Sequence, residues 1–137
     1  AQVKDGKIVN ASKPVISAQC IRVSVLDGHM ATVAVKFAKK PSREQIIESW
    51  ANYSTAIEDM DLPLAPKKFL NYMEEDNRPQ PVLDRDLEKG MAVTIGRLRE
   101  DSIFDYKFVC LSHNTLRGAA GGALLTAELI KKMGYLD

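Results

Sequence analysis

An α+β fold is predicted for this chain: a largely antiparallel sheet with helices packed on one face. Three observations lead to it. Short runs of alternating β-formers recur, the first two separated by the turn pair Asp27-Gly28. Two segments, one opening at Ser42 and one near Gly118, carry apolar residues at helical spacing. The resulting order is β-β-α-β-β-β-α, with no internal repeat and no low-complexity tract.

The elements follow in turn. Ala1 to Pro14 shows no sustained periodicity. Ala18–Val25 and Met30–Phe37 read as two antiparallel strands joined at Asp27-Gly28, a pair that tolerates the positive φ angles of a tight hairpin. Pro41-Ser42 opens a helix, and Ser42 with Gln45 three residues on forms a capping box. Ile46, Ile47, Trp50, Ala51 and Ile57 supply its buried side. The two prolines of 61–66 enforce a loop, and 67–73 adds a short strand. Residues 74–90 are polar and long for a connection, which suits either a solvated crossover or a contact segment. Met91–Leu98 and Ile103–Leu111 form a further strand pair. Gly118–Met133 is the last helix. Ala119, Ala120, Gly121 and Gly122 face something closely approached, while Leu124, Leu125, Ala127, Leu129 and Ile130 bury a face. Lys131 and Lys132 complement the helix dipole, and Gly134 stops the helix.

Composition limits the functional classes. The chain has 137 residues, 45% hydrophobic, with 19 Lys+Arg against 18 Asp+Glu. That balance suits a single globular domain and argues against a dedicated nucleic-acid or membrane-surface binder. No apolar run approaches the roughly 20 residues of a membrane span, and no signal peptide is visible. Cys20 and Cys110 lie in strand-like apolar runs and read as reduced, buried packing residues, which points to the cytoplasm. No metal-ligand spacing stands out. The first residue is Ala1, which fits either processing or excision from a longer protein.

Two segments carry chemistry. In a tight hairpin at Asp27-Gly28, His29 would share the strand face of Arg22, so that a guanidinium and an imidazole flank one small anion. Arginine presents a planar, permanently charged fork to a carboxylate, and histidine is suited to proton transfer near neutral pH. A solvated histidine after a turn and an arginine on a polar strand face are the plain alternatives. The second segment, Ser112-His-Asn-Thr-Leu-Arg-Gly-Ala-Ala-Gly-Gly122, leads into the last helix. It has neither the P-loop lysine nor the dinucleotide glycine fingerprint, and by spacing alone it is a packing device.

Together, Cys-Ile-Arg-Val-x-Val-x-x-Gly-His at 20–29, Gly-Arg-Leu-Arg at 96–99 and Leu-Ser-His-Asn-Thr-x-Arg-Gly-Ala-Ala-Gly at 111–121 resemble the carboxy-terminal part of aspartate-semialdehyde dehydrogenase. The likeness, strongest to the archaeal and fungal branch, runs from about Ser17 to the chain's end. It implies a glyceraldehyde-3-phosphate dehydrogenase-like catalytic and dimerisation domain, incomplete here, without the amino-terminal NADP-binding domain. It further implies reduction of aspartyl phosphate to aspartate semialdehyde with NADPH through a cysteine thioester, on the route to lysine, threonine and methionine. By motif position His29 becomes the acid-base catalyst, Arg22 the substrate-carboxylate ligand and Asn114 a contact to the nicotinamide of NADP. Arg117 and Gly118 fall in the same motif without a derived role, and His113 reads as structural or exposed. The nucleophile's Asn-Cys-Ser/Thr motif is absent, and neither cysteine fits it. Three expectations follow from this resemblance. The isolated chain is inactive and homo-oligomeric through its sheet. It acts alternatively as a non-catalytic folding and oligomerisation module. Or it belongs to a related acyl-CoA or acyl-phosphate reductase.

Overall fold

The computed structural model of the protein describes residues 2–136. A small hairpin opens the chain, with β1 (Gln2–Lys4) pairing antiparallel to β2 (Lys7–Val9). Its turn is Asp5-Gly6, with φ of 51° and 73°, the doubly positive geometry that matches strand twist. The prediction left this segment without structure, so the hairpin is a correction.

A second correction concerns the other Asp-Gly pair. Ala18–Val25 is not a strand. It runs irregularly, with the Val25 amide donating back to the Val23 carbonyl at 3.1 Å, and Ile21, Val23 and Val25 are exposed. Only Gly28 of the pair has positive φ, 104°, so the two-residue hairpin turn is not made. The chain instead turns directly into β3 (His29–Val35).

The main sheet has the order β3-β6-β5-β4. β6 (Tyr106–Ser112) lies antiparallel to both β3 and β5 (Val93–Glu100), while β4 (Leu70–Met73) is parallel to β5. A bulge interrupts β5 between Gly96 and Arg99, where Arg97 takes φ 58° and the strand bends. β3 is an edge strand, and its second edge has no partner among the described residues.

The predicted first helix is α1 (Arg43–Ala51), and its capping box is formed: Ser42 Oγ accepts from the Gln45 amide at 3.2 Å, and Gln45 Oε1 accepts from the Ser42 amide at 2.9 Å. Ile46, Ile47 and Trp50 pack on Val35, Leu98, Tyr106, Phe108 and Tyr72, covering one face of the sheet. Trp50 meets Phe108 edge-on at 5.1 Å between ring centroids. Ala51 is exposed, and Ile57 lies beyond the helix end and joins the second core cluster instead.

The crossover from β4 to β5, residues 74–90, is not a solvated loop. It contains α2 (Pro81–Asp84) and a 3₁₀ turn at Leu87–Gly90, and Pro79, Asp84 and Gly90 are buried. It lies on the opposite face of the sheet. A Cβ on Gly96 would stand 2.4 Å from the Arg78 carbonyl oxygen, so only glycine lets the crossover approach β5 this closely.

The last helix, α3 (Gly121–Lys132), is entered through a π turn at Leu116–Ala120. Leu125 packs with Leu62, Phe69 and Met91, and Leu129 joins the rim. A Cβ on Gly121 would meet the Met91 sulfur at 2.6 Å, which is the predicted close approach. Leu124 and Ala127 are exposed, because α3 turns the side that carries Gly121, Leu125 and Leu129 to the core. At the far end the Gly134 amide donates to Lys131 and the Tyr135 amide to Ile130, the paired bonds of a glycine-terminated helix.

Candidate active-site cleft

The turn into β3 and the entry to α3 meet at one point. Gly28 is buried, and a Cβ there would stand 3.2 Å from both Leu111 Cδ1 and Pro81 Cβ. Its amide donates to Asn114 Oδ1 at 2.8 Å, across 86 residues of sequence. One residue to either side, the Thr115 hydroxyl donates to Asp27 Oδ1 at 3.4 Å. These two ties bind the two segments that the sequence marks for chemistry.

The Asn114 side of this junction is held by His113. The residue is 5% exposed, and its Nδ1 accepts from the Leu116 amide at 3.2 Å. Nε2 faces Asp86 Oδ1 at 3.7 Å. His113 therefore anchors the π turn from a buried position, which selects the structural over the exposed alternative. The Gly28 side is held by α2. Asp84, 3% exposed, accepts from Arg78 Nε and from the Gln80 amide, at 2.8 and 2.6 Å through Oδ2. The Arg78 guanidinium beside it holds its carboxyl below the usual carboxylate range. Sequence reasoning treated 74–90 as a polar connection and singled out no role for Asp84. The Arg78-x-x-x-x-x-Asp84 spacing alone carries no signal that the pair is internal.

A cleft of about 390 Å³ opens at this junction, lined by Cys20, Arg22, Val25, Asp27, His29 and Asn114, among others. All three predicted site residues border it. The predicted hairpin is not what brings Arg22 and His29 together, since no strand precedes the turn. The irregular segment 20–27 folds past the start of β3 and forms the cleft wall. Arg22 and His29 are exposed, and neither has a salt-bridge partner among the described residues. A permanently charged fork and a titratable ring thus face a cavity of small-ligand size.

Cys20 is a further correction. It is exposed and lines the cleft, not buried, because the strand expected to bury it does not form. Cys110 is half-buried on β6, and burial pushes its thiol above the usual range. Among the described residues no helix is long and apolar enough to cross a membrane, and no group of three or more His, Cys, Asp and Glu side chains converges as a metal site.

Known proteins match both the sequence and this architecture. Aspartate-semialdehyde dehydrogenase from Schizosaccharomyces pombe is 48% identical over 125 residues, covering 89% of this chain and 35% of the relative. The enzyme from Archaeoglobus fulgidus is 41% identical over 128 residues, covering 93% and 36%. The crystal structure of the Candida albicans enzyme with NADP superposes with a TM-score of 0.71 at 39% identity, covering 82% of this chain and 32% of that one. Aspartate semialdehyde dehydrogenase II from Vibrio cholerae, at 22% identity and a TM-score of 0.60, shares the fold. The chain spans about a third of the length of these relatives. A family model described as "Semialdehyde dehydrogenase, dimerisation domain" matches residues 1–117, and the chain belongs to that family.

Proposed function

We propose that this chain is the carboxy-terminal catalytic and dimerisation part of an enzyme that reduces aspartyl 4-phosphate to aspartate 4-semialdehyde with NADPH. The observation that carries this reading is the cleft shared by Arg22, His29 and Asn114. The relatives' names supply the reaction class, and the NADP of the Candida albicans crystal supplies the cofactor. The nucleotide domain and the nucleophilic cysteine belong, on this reading, to sequence outside this chain.

Each residue then has a task. Arg22 binds the α-carboxylate of the substrate, its fork matching the two carboxylate oxygens. His29 takes the proton of the attacking thiol as the C–S bond forms and phosphate leaves, and returns a proton to the substrate oxygen once hydride has reached the thioester carbon. The thioester between these steps divides one difficult reaction into two easier ones. Asn114 fits the nicotinamide end of the cofactor. Its Oδ1 is occupied by the Gly28 amide, which leaves the Nδ2 hydrogens as donors to a carboxamide oxygen. When bound, NADPH supplies the hydride. The uncovered edge of β3, with Met30 47% exposed, supports a homo-oligomer built on this sheet.

The deciding experiment uses the complete protein. NADP⁺-linked oxidation of aspartate semialdehyde in the presence of phosphate is expected, with a raised substrate KM in Arg22→Lys. Absence of turnover in the unsubstituted protein, or an unchanged KM and kcat in the variant, overturns the reading.

A further inference from the structure

We infer that Asn114 is a positioning residue for His29, acting through the Gly28 peptide, as well as a cofactor contact. The inference deepens the reading of His29 as the acid-base group and rests on it.

The geometry is specific. A backbone N–H can only donate, so the atom of the Asn114 amide that faces Gly28 at 2.8 Å must be its oxygen. The bond lands on the residue immediately before His29, at the point where the chain turns into β3. Gly28 has little room to shift. Its φ is 104°, and Leu111, Pro81 and Arg85 stand within 3.5 Å of where a Cβ would be. Asn114 is itself held between the buried His113 and Thr115, whose hydroxyl reaches Asp27. On the carboxyl side His29 pairs with Ser112, the start of the same segment. His29 is thus gripped on both sides by residues 112–115, while its ring remains free in the cleft. One carboxamide links the two functions: Oδ1 fixes the residue before the histidine, and the Nδ2 hydrogens are not used in that bond.

Aspartate at 114 separates the roles, because it keeps an acceptor for the Gly28 amide and loses the Nδ2 donors. Amide hydrogen exchange at Gly28 and steady-state kinetics are compared in the complete protein carrying Asn114→Ala or Asn114→Asp. Gly28 exchange is expected to rise about tenfold in Asn114→Ala, the effect of one lost hydrogen bond, and to stay near the parent value in Asn114→Asp. On the pH plateau, kcat falls in Asn114→Ala and is largely restored in Asn114→Asp, while the cofactor KM rises in both. Unchanged Gly28 exchange in Asn114→Ala overturns the inference. So does an Asn114→Asp enzyme as slow as Asn114→Ala despite a protected Gly28. If Asn114→Ala misfolds, Asn114→Asp still decides, since loss of Gly28 protection there contradicts the bond. A protein without dehydrogenase turnover would sink the functional reading alone, and the exchange at Gly28 would then decide by itself whether Asn114 holds the residue before His29.

Discussion

Asp84 takes two bonds from Arg78 Nε, at 3.0 and 2.8 Å, and a third from Arg78 Nη2, while its own side chain is almost wholly out of solvent. The pair sits between Gly96, which the Arg78 carbonyl touches, and Gly28, which α2 touches. Core and cleft are therefore braced by one ion pair.

Removing one partner leaves the other charged group without its counter-ion. Asp84→Ala is expected to destabilise the fold by about 3 kcal/mol or more, read from the urea midpoint. Asp84→Asn, which retains an acceptor, falls between it and the parent. A midpoint shift within error for Asp84→Ala would remove the brace.

Acid should act on the same carboxylate and on Asp101. Asp101 accepts from the amides of Phe104 and Ile103 and from Lys107, which together hold it at about 2, against an ordinary 3.8. Asp84 is lowered by Arg78. Both folded values lie below the unfolded ones, so their stabilisation is fully present above about 3.8 and is lost as pH falls below it, for Asp101 as pH approaches about 2. Urea midpoints measured between pH 5 and 2 should decline, and less so in Asp101→Asn than in the parent. Equal slopes would deny Asp101 its share.

Gly28→Ala places a Cβ 3.2 Å from Leu111 and Pro81 at a φ that L residues avoid. A loss of about 1–3 kcal/mol is expected from that backbone conformation, seen as a lowered Tm. In the complete enzyme kcat should fall with it, because His29 is next in the chain.

His29→Ala in the complete enzyme should reduce kcat by on the order of 10²–10⁴, the usual range for a positioned acid-base group. A reduction under tenfold returns His29 to an ordinary exposed side chain.

Thiol reactivity offers a simple check on the cleft wall. Cys20 is exposed, whereas Cys110 is half-buried with its thiol pushed up. Iodoacetamide should label Cys20 first, with Cys110 following only slowly, as located by peptide mass spectrometry. Faster labelling of Cys110 would contradict the exposed position of Cys20 in the cleft wall.

The two Asp-Gly pairs explain what the sequence disclosed and what it hid. At 5–6 the turn closes its hairpin, since nothing competes for Gly6, which has open space around it. At 27–28 the same dipeptide is drawn inward, because Asn114, Pro81 and Leu111 claim Gly28. Those partners lie more than 50 residues away, and no local rule sees them. The capping box at Ser42, by contrast, is complete within four residues and was fully legible. Arg22, His29 and Asn114 were picked out by motif and border one cleft, but the wall that carries Arg22 was misread as a strand. The internal Arg78–Asp84 pair and the π turn were invisible for the same reason: long-range burial decides them.

The bonds that join Gly28 to Asn114 and Asp27 to Thr115 close loops of 86 and 88 residues. The pairing of β3 with β6 closes the same long loop, so this junction can form only where that pairing is made. The cleft accordingly reports on the integrity of the whole domain. A nick anywhere between β3 and the π turn would cut the covalent path between its two walls, and no short peptide excised from this chain would carry both.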